Sequence, residues 1–531
     1  MSIHISEEAD VLVVGLGPAG LLASVLLGQK GYSVIGIERW PSPYPLPRAV
    51  TFDHEIARIL ASLGINANSD STIDYHDDHY FWINKNKEVL LEVDWMSTAK
   101  DGWRNRYWFS QPELEERLRG IISSMPNVTL MAGFEVQEYT QDSESVTAKF
   151  VQVRQEGFKA VPIEGGAQGT IKAKFGIGSD GANSFVRRSV GYEFTDLNFY
   201  YDWVVVDMTP DVMPEYWTAH YQICDPARPT TVVPGGPGRR RWEFMVLPGE
   251  DPQELAKPEN VWPLLEPFGL TPSNSRMDRS VAWRFQGKYL ENWIAGRTLL
   301  VGDAAHLMPP FAGEGMCAAF RDVYNLQWRL DLILKGLSNE KLLEDWSNER
   351  RENAKWYINF SVELGRVICV TDEAEAEARD ANMKAAYEAN DRKPTDPHKA
   401  VLGEGTWDSS DELAGVPSIQ GNIAYRGRTG RFDEVVGNNW FVLSHVDSRH
   451  EVLSDEQLAR FHKAGGRVLS VGSRGSGADV IDLNGEYAAW FAESGRKHLV
   501  VRPDYYVAAT ADSQSMLREA FDRATKNLVA A

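Results

Sequence analysis

The sequence predicts an α/β protein in three parts: a unit of parallel strands and helices, an antiparallel sheet inserted into it, and a small α/β unit at the C-terminal end. Three observations carry this. Residues 10–40 read as strand, glycine turn, helix and strand; residues 200–285 switch to period-two alternation broken by Pro/Gly turns; residues 415–531 return to short strands alternating with helices. The length agrees, because a chain of 531 residues exceeds what one core organises, so about two to three domains are expected. With 43% hydrophobic and 24% charged residues, the composition is that of an ordinary globular protein with ample core.

The first element is Val11-Leu12-Val13-Val14, a short apolar run leading into Gly15-Leu16-Gly17-Pro18-Ala19-Gly20. A helical stretch then passes Gly31 to a second strand, Tyr32 to Ile37, which ends at Glu38. This is a βαβ unit of dinucleotide-binding type. Gly15 permits the tight turn, Gly17 lets the backbone approach a pyrophosphate, and Gly20 allows close helix–strand packing. The helix start offers free N–H groups and positive partial charge to phosphate. Glu38, 23 residues after Gly15, can accept hydrogen bonds from a ribose 2′-OH and disfavours a 2′-phosphate, so the nucleotide is FAD or NAD and not NADP.

Further along, residues 171–187 form an apolar strand running into Ser179-Asp180-Gly181. In Arg241-Trp242-Glu243-Phe244-Met245-Val246, alternation puts Trp242, Phe244 and Val246 on one face of a strand. Arg239-Arg240-Arg241, beside the turn Pro234–Gly238, is expected at a solvated hairpin end. A buried strand, Thr298 to Val301, ends in Gly302-Asp303-Ala304-Ala305-His306, and Met308-Pro309-Pro310-Phe311-Ala312-Gly313-Glu314-Gly315 leads into a helix to about Lys335. An Asp at a strand's carboxyl end suits a ribityl or ribose hydroxyl, and the next helix start suits negative charge on a reduced flavin. A simple NAD dehydrogenase has no use for this second element, which favours FAD. His306 is expected to be structural. Residues 340–400 read as charged helix, with 372–377 a solvated face, and 403–412 as a linker.

The net charge of −20 argues against nucleic acid and anionic membrane partners. Only Cys224, Cys317 and Cys369 occur, without a CxxC pair, which suits a reducing compartment. No apolar run approaches the roughly 18 residues of a span, and the first ten residues lack a signal-peptide pattern. A cytoplasmic enzyme is expected.

The glycine turn, Asp180-Gly181 with Ser184 and Arg187, and Gly302-Asp303 together resemble the FAD-dependent aromatic hydroxylases of the para-hydroxybenzoate hydroxylase type, in matching order along residues 10–335. Cys224–Pro229, Arg241–Glu250 and Val501-Arg502-Pro503-Asp504 resemble the 3-(3-hydroxyphenyl)propionate hydroxylase group. The resemblance implies a Rossmann-like FAD-binding domain (1–75, 100–195 and 286–400, with its helical extension) carrying an antiparallel substrate-binding sheet domain (76–99 and 196–285). The C-terminal region 405–531 resembles a thioredoxin-like domain. Without CxxC it cannot do dithiol chemistry, and oligomerisation, into a homodimer, or packing is the role left to it.

By position, the resemblance implies cofactor contacts at Gly15, Gly17, Ala19, Gly20, Glu38, Arg39 and Val136. Arg48, in Pro47-Arg48-Ala49, matches an arginine on the FAD pyrophosphate, and Gln111 a flavin-contacting glutamine; capping of the helix at Pro112 is the alternative for Gln111. Asp180 and Arg187 match a motif tied to FAD and NAD(P)H, and Asp303 the ribityl-binding aspartate. Gly315 opens the helix whose Met316 and Cys317 N–H groups match those holding the flavin carbonyl. Pro310 matches the proline beside the reacting ring, the one residue implied at the chemistry. Glu314 departs from relatives, and a carboxylate there disfavours reduced anionic flavin unless it points to solvent. Trp203, Tyr216, Trp217, Tyr221 and Trp242 are substrate-cavity or core aromatics, with Trp203, Tyr221, Trp242 and Pro310 taken as substrate contacts. No metal is expected.

The implied activity is hydroxylation of a phenolic small molecule with O2 and NADH or NADPH, through a flavin C4a-hydroperoxide. Gly472-Ser473-Arg474-Gly475-Ser476-Gly477 has the wrong spacing for a second nucleotide turn, so the reductant binds transiently. A halogenase-like oxidoreductase and a non-catalytic FAD-stabilised interaction protein stay open; the first is expected to carry Trp-x-Trp-x-Ile-Pro, absent here.

Overall fold

The structure, a computed structural model, describes residues 4–46, 48–157, 159–213, 217–397, 400–450 and 453–528. Its first sheet has nine strands. His4–Val14 lies between Val34–Glu38 and Gln168–Gly178, parallel to both, and Val34–Glu38 and Gln168–Gly178 add Val128–Ala132 and Thr298–Leu300, also parallel. The apolar run Val11–Val14 is buried on both faces, as a central parallel strand covered by helices must be. Helix Pro18–Gln29 follows the glycine turn, and every residue from Ala19 to Gly28 in it is buried. Such an apolar helix is stable only when enclosed; it packs against Gly315–Leu334.

The second sheet has eight strands, ordered His306–Leu307, Ser275–Tyr289, Thr195–Pro210, Arg240–Met245, Thr230–Pro234, His220–Cys224, Tyr80–Asn84 and Val89–Val93. Period-two alternation divides its residues. Val204, Val206, Met208, Val232, Trp242, Phe244 and Val246 cluster on one face with Val261 and Leu265 of helix Pro258–Leu265. The other face is turned toward the first sheet's carboxyl ends, with Trp203 held between Phe285 and Phe311 at ring distances of 5.7 and 5.6 Å.

The third region is a seven-stranded sheet. Phe441–His445 and Arg467–Gly472 run parallel, joined through helix Asp455–Lys463; His498–Val501 and Val507–Ala511 form an antiparallel hairpin beside them, and helix Gln514–Ala524 follows. Its core includes Trp328, Leu332 and Leu342 from the helices of the first region, so the two regions share apolar interior. The stretch expected as a linker is instead packed. Trp407, Asp408 and Asp411 are buried; Asp408 pairs with Arg523, and Asp411 accepts from the Thr510 N–H and hydroxyl. Its polar residues answer polar groups of the C-terminal sheet, a match that composition alone does not reveal.

A buried charge cluster sits at this junction. Glu349 accepts from Arg329 at 2.7 Å and from Arg502 at 2.9 Å; Arg502 also binds Asp504, and the Thr406 N–H donates to Glu349. Arg58 donates to Asp433 and to the Ser418 carbonyl and lies 4.2 Å from the Tyr505 ring centre. No helix of the described residues is long and apolar enough to cross a membrane.

Candidate functional site

A cavity of about 260 Å³ lies between the carboxyl ends of the first sheet and the second sheet's inner face, the place where open α/β sheets hold ligands. One end is built by the glycine turn. Gly15 has φ 95°, and a Cβ there would lie 2.5 Å from the Ser179 carbonyl oxygen; a Cβ on Gly20 would lie 1.9 Å from that of Gly15. At Gly17 a Cβ would meet nothing within 4 Å, so the backbone is bare toward the cavity. Helix Pro18–Gln29 starts at Gly17 with no side-chain cap, leaving its first N–H groups to a ligand. Glu38 accepts from Leu16 N–H at 2.9 Å and Trp40 N–H at 3.0 Å. Arg39 stacks on Trp40.

The second wall is the loop after Thr298–Leu300. Asp322 accepts from Gly302 N–H at 3.0 Å, pairs with His306 Nε2 at 2.8 Å and binds Arg350. That carboxylate fixes the turn presenting Asp303, and it makes His306 a buried structural partner. Asp303 is exposed and opens onto the cavity; the protein packed around it still desolvates its carboxyl and pushes it up, against the pull of His306 and Arg48. Arg48 stacks on Tyr44 at the mouth. Gln111 does not cap its helix: Ser110 is the N-cap, and Gln111 Oε1 accepts from Ala49 N–H at 2.8 Å while Nε2 donates to Glu115.

Asp180 accepts from Ser184, Phe185 N–H and Val186 N–H, holding the start of helix Phe185–Ser189. Arg187 donates to the Ala182 and Ala304 carbonyls and lies 4.0 Å from the Phe194 ring centre. It braces two cavity loops. Ser179 and Gly181 line the cavity between them. Val136 pairs with Phe150 in the first core, its side chain away from the cavity lining.

The third wall is Met308 to Met316. Pro310 opens onto the cavity, and helix Gly315–Leu334 begins there without a side-chain cap. Gly315 and Met316 line it, while the Cys317 side chain is fully buried and burial pushes its thiol well up. Glu314 does not point to solvent. Its carboxylate is buried instead of solvated, 3.1 Å from Arg106 and 2.9 Å from Arg321, which also binds Asp53 and Glu55. Burial and Asp53 push it up, against both arginines. Asp53, Glu314 and Cys317 converge, but this arginine pairing already answers the carboxylates.

The fourth wall is the sheet face, and here the aromatic expectation fails. Tyr221 and Trp242 point to the opposite face, where Tyr221 stacks on Phe81 and Trp242 is fully buried, and Trp217 packs there on Phe268. Trp203 lies behind Phe311, and Tyr216, with Pro47, falls outside the described residues. The side chains that line the cavity alternate with the expected ones: His220, Gln222, Thr231, Val233, Arg241 and Glu243. Register sets Gln222, Thr231 and Glu243 in one cross-strand row and Val233, Arg241, Asp207 and Arg279 in the next. The polar spacing His220-x-Gln222 and Arg241-x-Glu243 was the available signal.

Arg240 and Arg241 are likewise not a solvated hairpin end. They are 2% and 4% exposed, because the turn closes before Arg240 and the strand begins there. Only Arg239 is solvated, paired with Glu113. Arg241 donates to Asp207 at 2.7 Å and to the Arg48 carbonyl at 2.7 Å, with Glu243 3.8 Å away. Burial pushes Glu243 up, with Arg241 opposing. His220, packed on Tyr80 and Trp95, is held neutral: burial first, then Arg106 and Arg240, lower its pKa well below the ordinary value. Neither of its ring nitrogens, nor Gln222 Nε2, has a hydrogen-bond partner. Buried polar groups without partners are uncommon and point to a missing ligand or water.

Residues 8–361 match the family described as FAD binding domain, and residues 415–526 match the HcaD C-terminal domain. The chain is 34% identical over 510 residues to a probable NADH-specific resorcinol 4-hydroxylase of Rhodococcus jostii (strain RHA1), covering 95% of this chain and 92% of that protein. It is 28% identical over 536 residues to a 3-(3-hydroxy-phenyl)propionate/3-hydroxycinnamic acid hydroxylase of Escherichia coli (strain SMS-3-5 / SECEC), covering 96% and 93%. The fold is like that of the flavin-dependent monooxygenase PieE, solved with FAD and substrate, with TM-score 0.79 at 18% identity over 98% of this chain and 99% of that one.

Proposed function

The chain belongs to the FAD-binding-domain family and is an FAD-dependent aromatic hydroxylase, and on that premise we propose that it hydroxylates a phenolic small molecule with NADH and O2. The balance is phenol, NADH, H⁺ and O2 giving dihydroxyarene, NAD⁺ and water. The observation that carries the reading is the single cavity joining a dinucleotide-type end to a polar sheet face with orphaned hydrogen-bonding atoms.

The residues fit FAD, because the glycine turn is bare at Gly17 and two uncapped helix starts flank the cavity. Gly15, Gly17, Ala19 and Gly20 would take the pyrophosphate with Arg48, Glu38 and Arg39 the ribose side, and Asp303 the ribityl chain. Gln111 and the N–H groups of Gly315, Met316 and Cys317 would meet the ring. Asp180 and Arg187 act as positioning residues. FAD bound there supplies hydride acceptance and oxygen activation.

The protein's own work is to bind and polarise the phenol beside Pro310 and to exclude water. A phenol near pKa ~10 needs a depression of about 2–3 units, or roughly 3–4 kcal/mol, to ionise near neutrality. Neutral His220 can accept the phenolic hydrogen bond at one nitrogen and donate at the other. Arg106 and Arg240 add to burial in disfavouring a protonated His220, which keeps a ring nitrogen available to accept the phenolic hydrogen. We read residues 405–531 as thioredoxin-like on the strand–helix–strand and hairpin–helix connectivity, serving packing, and keep the domain limits given above.

Anaerobic stopped-flow reduction tests this. A phenol should accelerate flavin reduction by NADH by orders of magnitude over the substrate-free rate. A protein that holds no flavin, or whose reduction ignores every aromatic, would sink the reading.

A further inference from the structure

We propose that the ring end of this cavity takes an uncharged hydroxyarene and discriminates against rings that carry a carboxylate arm. The inference rests on the hydroxylase reading and deepens it. The argument is a charge inventory of the wall. Five charged side chains line the cavity: Arg48, Arg241, Glu243, Asp303 and Glu314. Arg48 acts on Asp303 and so belongs to the cofactor end, where two phosphates would engage it. Arg241 is committed to Asp207 and to the Arg48 carbonyl.

The nearby cations do not change the balance. Arg279 lies 2.8 Å from Asp207, so Arg241 and Arg279 are matched by Asp207 and Glu243. Arg106 stacks on Trp95, 4.5 Å from its ring centre, with its Nε and Nη1 unpartnered, and it shares Glu314 with Arg321, against three carboxylates, Asp53, Glu55 and Glu314. Arg240 alternates to the other face and donates to the Thr218 and Ala219 carbonyls. Among the described residues at the ring end, Arg106, Arg240, Arg241, Arg279 and Arg321 are therefore matched in number by Asp53, Glu55, Glu314, Asp207 and Glu243, and no arginine is left over to neutralise a further anion.

A substrate carboxylate here would be desolvated without a cation of its own and would face Glu243, an arrangement that costs binding heavily. A neutral hydroxyl meets the opposite situation. His220 and Gln222 hold polar atoms that want partners and carry no charge, and Thr231 already donates to Gln222 Oε1 at 2.6 Å, leaving its Nε2 to donate to a ring oxygen.

The test compares resorcinol, 3-(3-hydroxyphenyl)propan-1-ol and 3-(3-hydroxyphenyl)propionate, the last two differing chiefly in charge. Dissociation constants are measured on the FAD-loaded protein by calorimetry and flavin absorbance, and flavin reduction by NADH is followed in parallel. The propionate should bind at least about tenfold more weakly than the alcohol, and Glu243→Gln should shrink that gap severalfold. A gap below tenfold in the wild-type protein, or one that Glu243→Gln leaves unchanged, overturns the inference and leaves the hydroxylase reading standing. Indifference of both binding and reduction to all three aromatics overturns both.

Discussion

Two buried charge clusters in this protein are built alike and finished differently. At the junction of the first and C-terminal regions, Arg329, Arg502, Glu349 and Asp504 are almost wholly buried and closely paired, with Trp328 and Thr406 donating to carboxylate oxygens that the arginines also engage. Only Arg329 Nε among their polar atoms lacks a partner. At the cavity wall, Arg241, Arg279, Asp207 and Glu243 are paired at similar distances, but Arg279 Nε makes no hydrogen bond and His220 and Gln222 beside them keep three orphaned atoms. A buried network that answers its own charges holds parts together; one that leaves polar atoms unanswered beside a cavity has donors and acceptors to offer a ligand.

The comparison can be broken at either end. Arg502→Leu strands Glu349 and Asp504 in the interior and should cost about 3–5 kcal/mol, read as a lower urea midpoint; a loss near zero would mean that the junction is not held by this network. At the wall the sign reverses. His220→Phe removes two unpaired nitrogens among aromatic neighbours and should stabilise the ligand-free protein by about 1 kcal/mol, while resorcinol binding weakens roughly tenfold, or ~1.4 kcal/mol. Thermal unfolding and calorimetry on the same samples separate the two effects. Glu243→Gln should change stability by less than about 1 kcal/mol, because the charge it removes is one that burial already disfavours.

The last effect is a pH dependence. His220 has its folded pKa well below 6.5, so the unfolded chain binds the proton first. The contribution is complete above about pH 6.5 and is lost as pH falls from there through the folded pKa. Wild type should therefore lose more stability between roughly pH 6.5 and 5 than His220→Phe does; parallel curves would show that His220 is not held neutral by its surroundings.

The resemblance quoted for Val501–Asp504 acquires a physical reason from the junction, since Arg502 and Asp504 are half of that cluster. The glycine turn, Glu38, Asp303 and the helix start at Gly315 were legible because each is a contiguous backbone requirement, whereas Pro310 came from the resemblance alone. Gly15 at φ 95° and Gly20 against the Gly15 carbonyl leave marks in neighbouring letters. The sheet wall was legible only halfway. Alternation correctly grouped Trp242, Phe244 and Val246 on one face, but period two assigns faces without saying which one is covered by helix and which by cofactor.

The sequence by itself determined the βαβ unit, the position of the phosphate-binding turn and the order of the sheets, because apolar period and glycine placement act over a few residues. Only the tertiary structure decided that Glu314 turns inward to Arg106 and Arg321, that Arg240 and Arg241 are buried, and that His220, Gln222 and Glu243 line the cavity. Those outcomes depend on strand register and on partners such as Asp207 and Arg279. Charges far apart in the chain have no local signature until the fold removes the water between them.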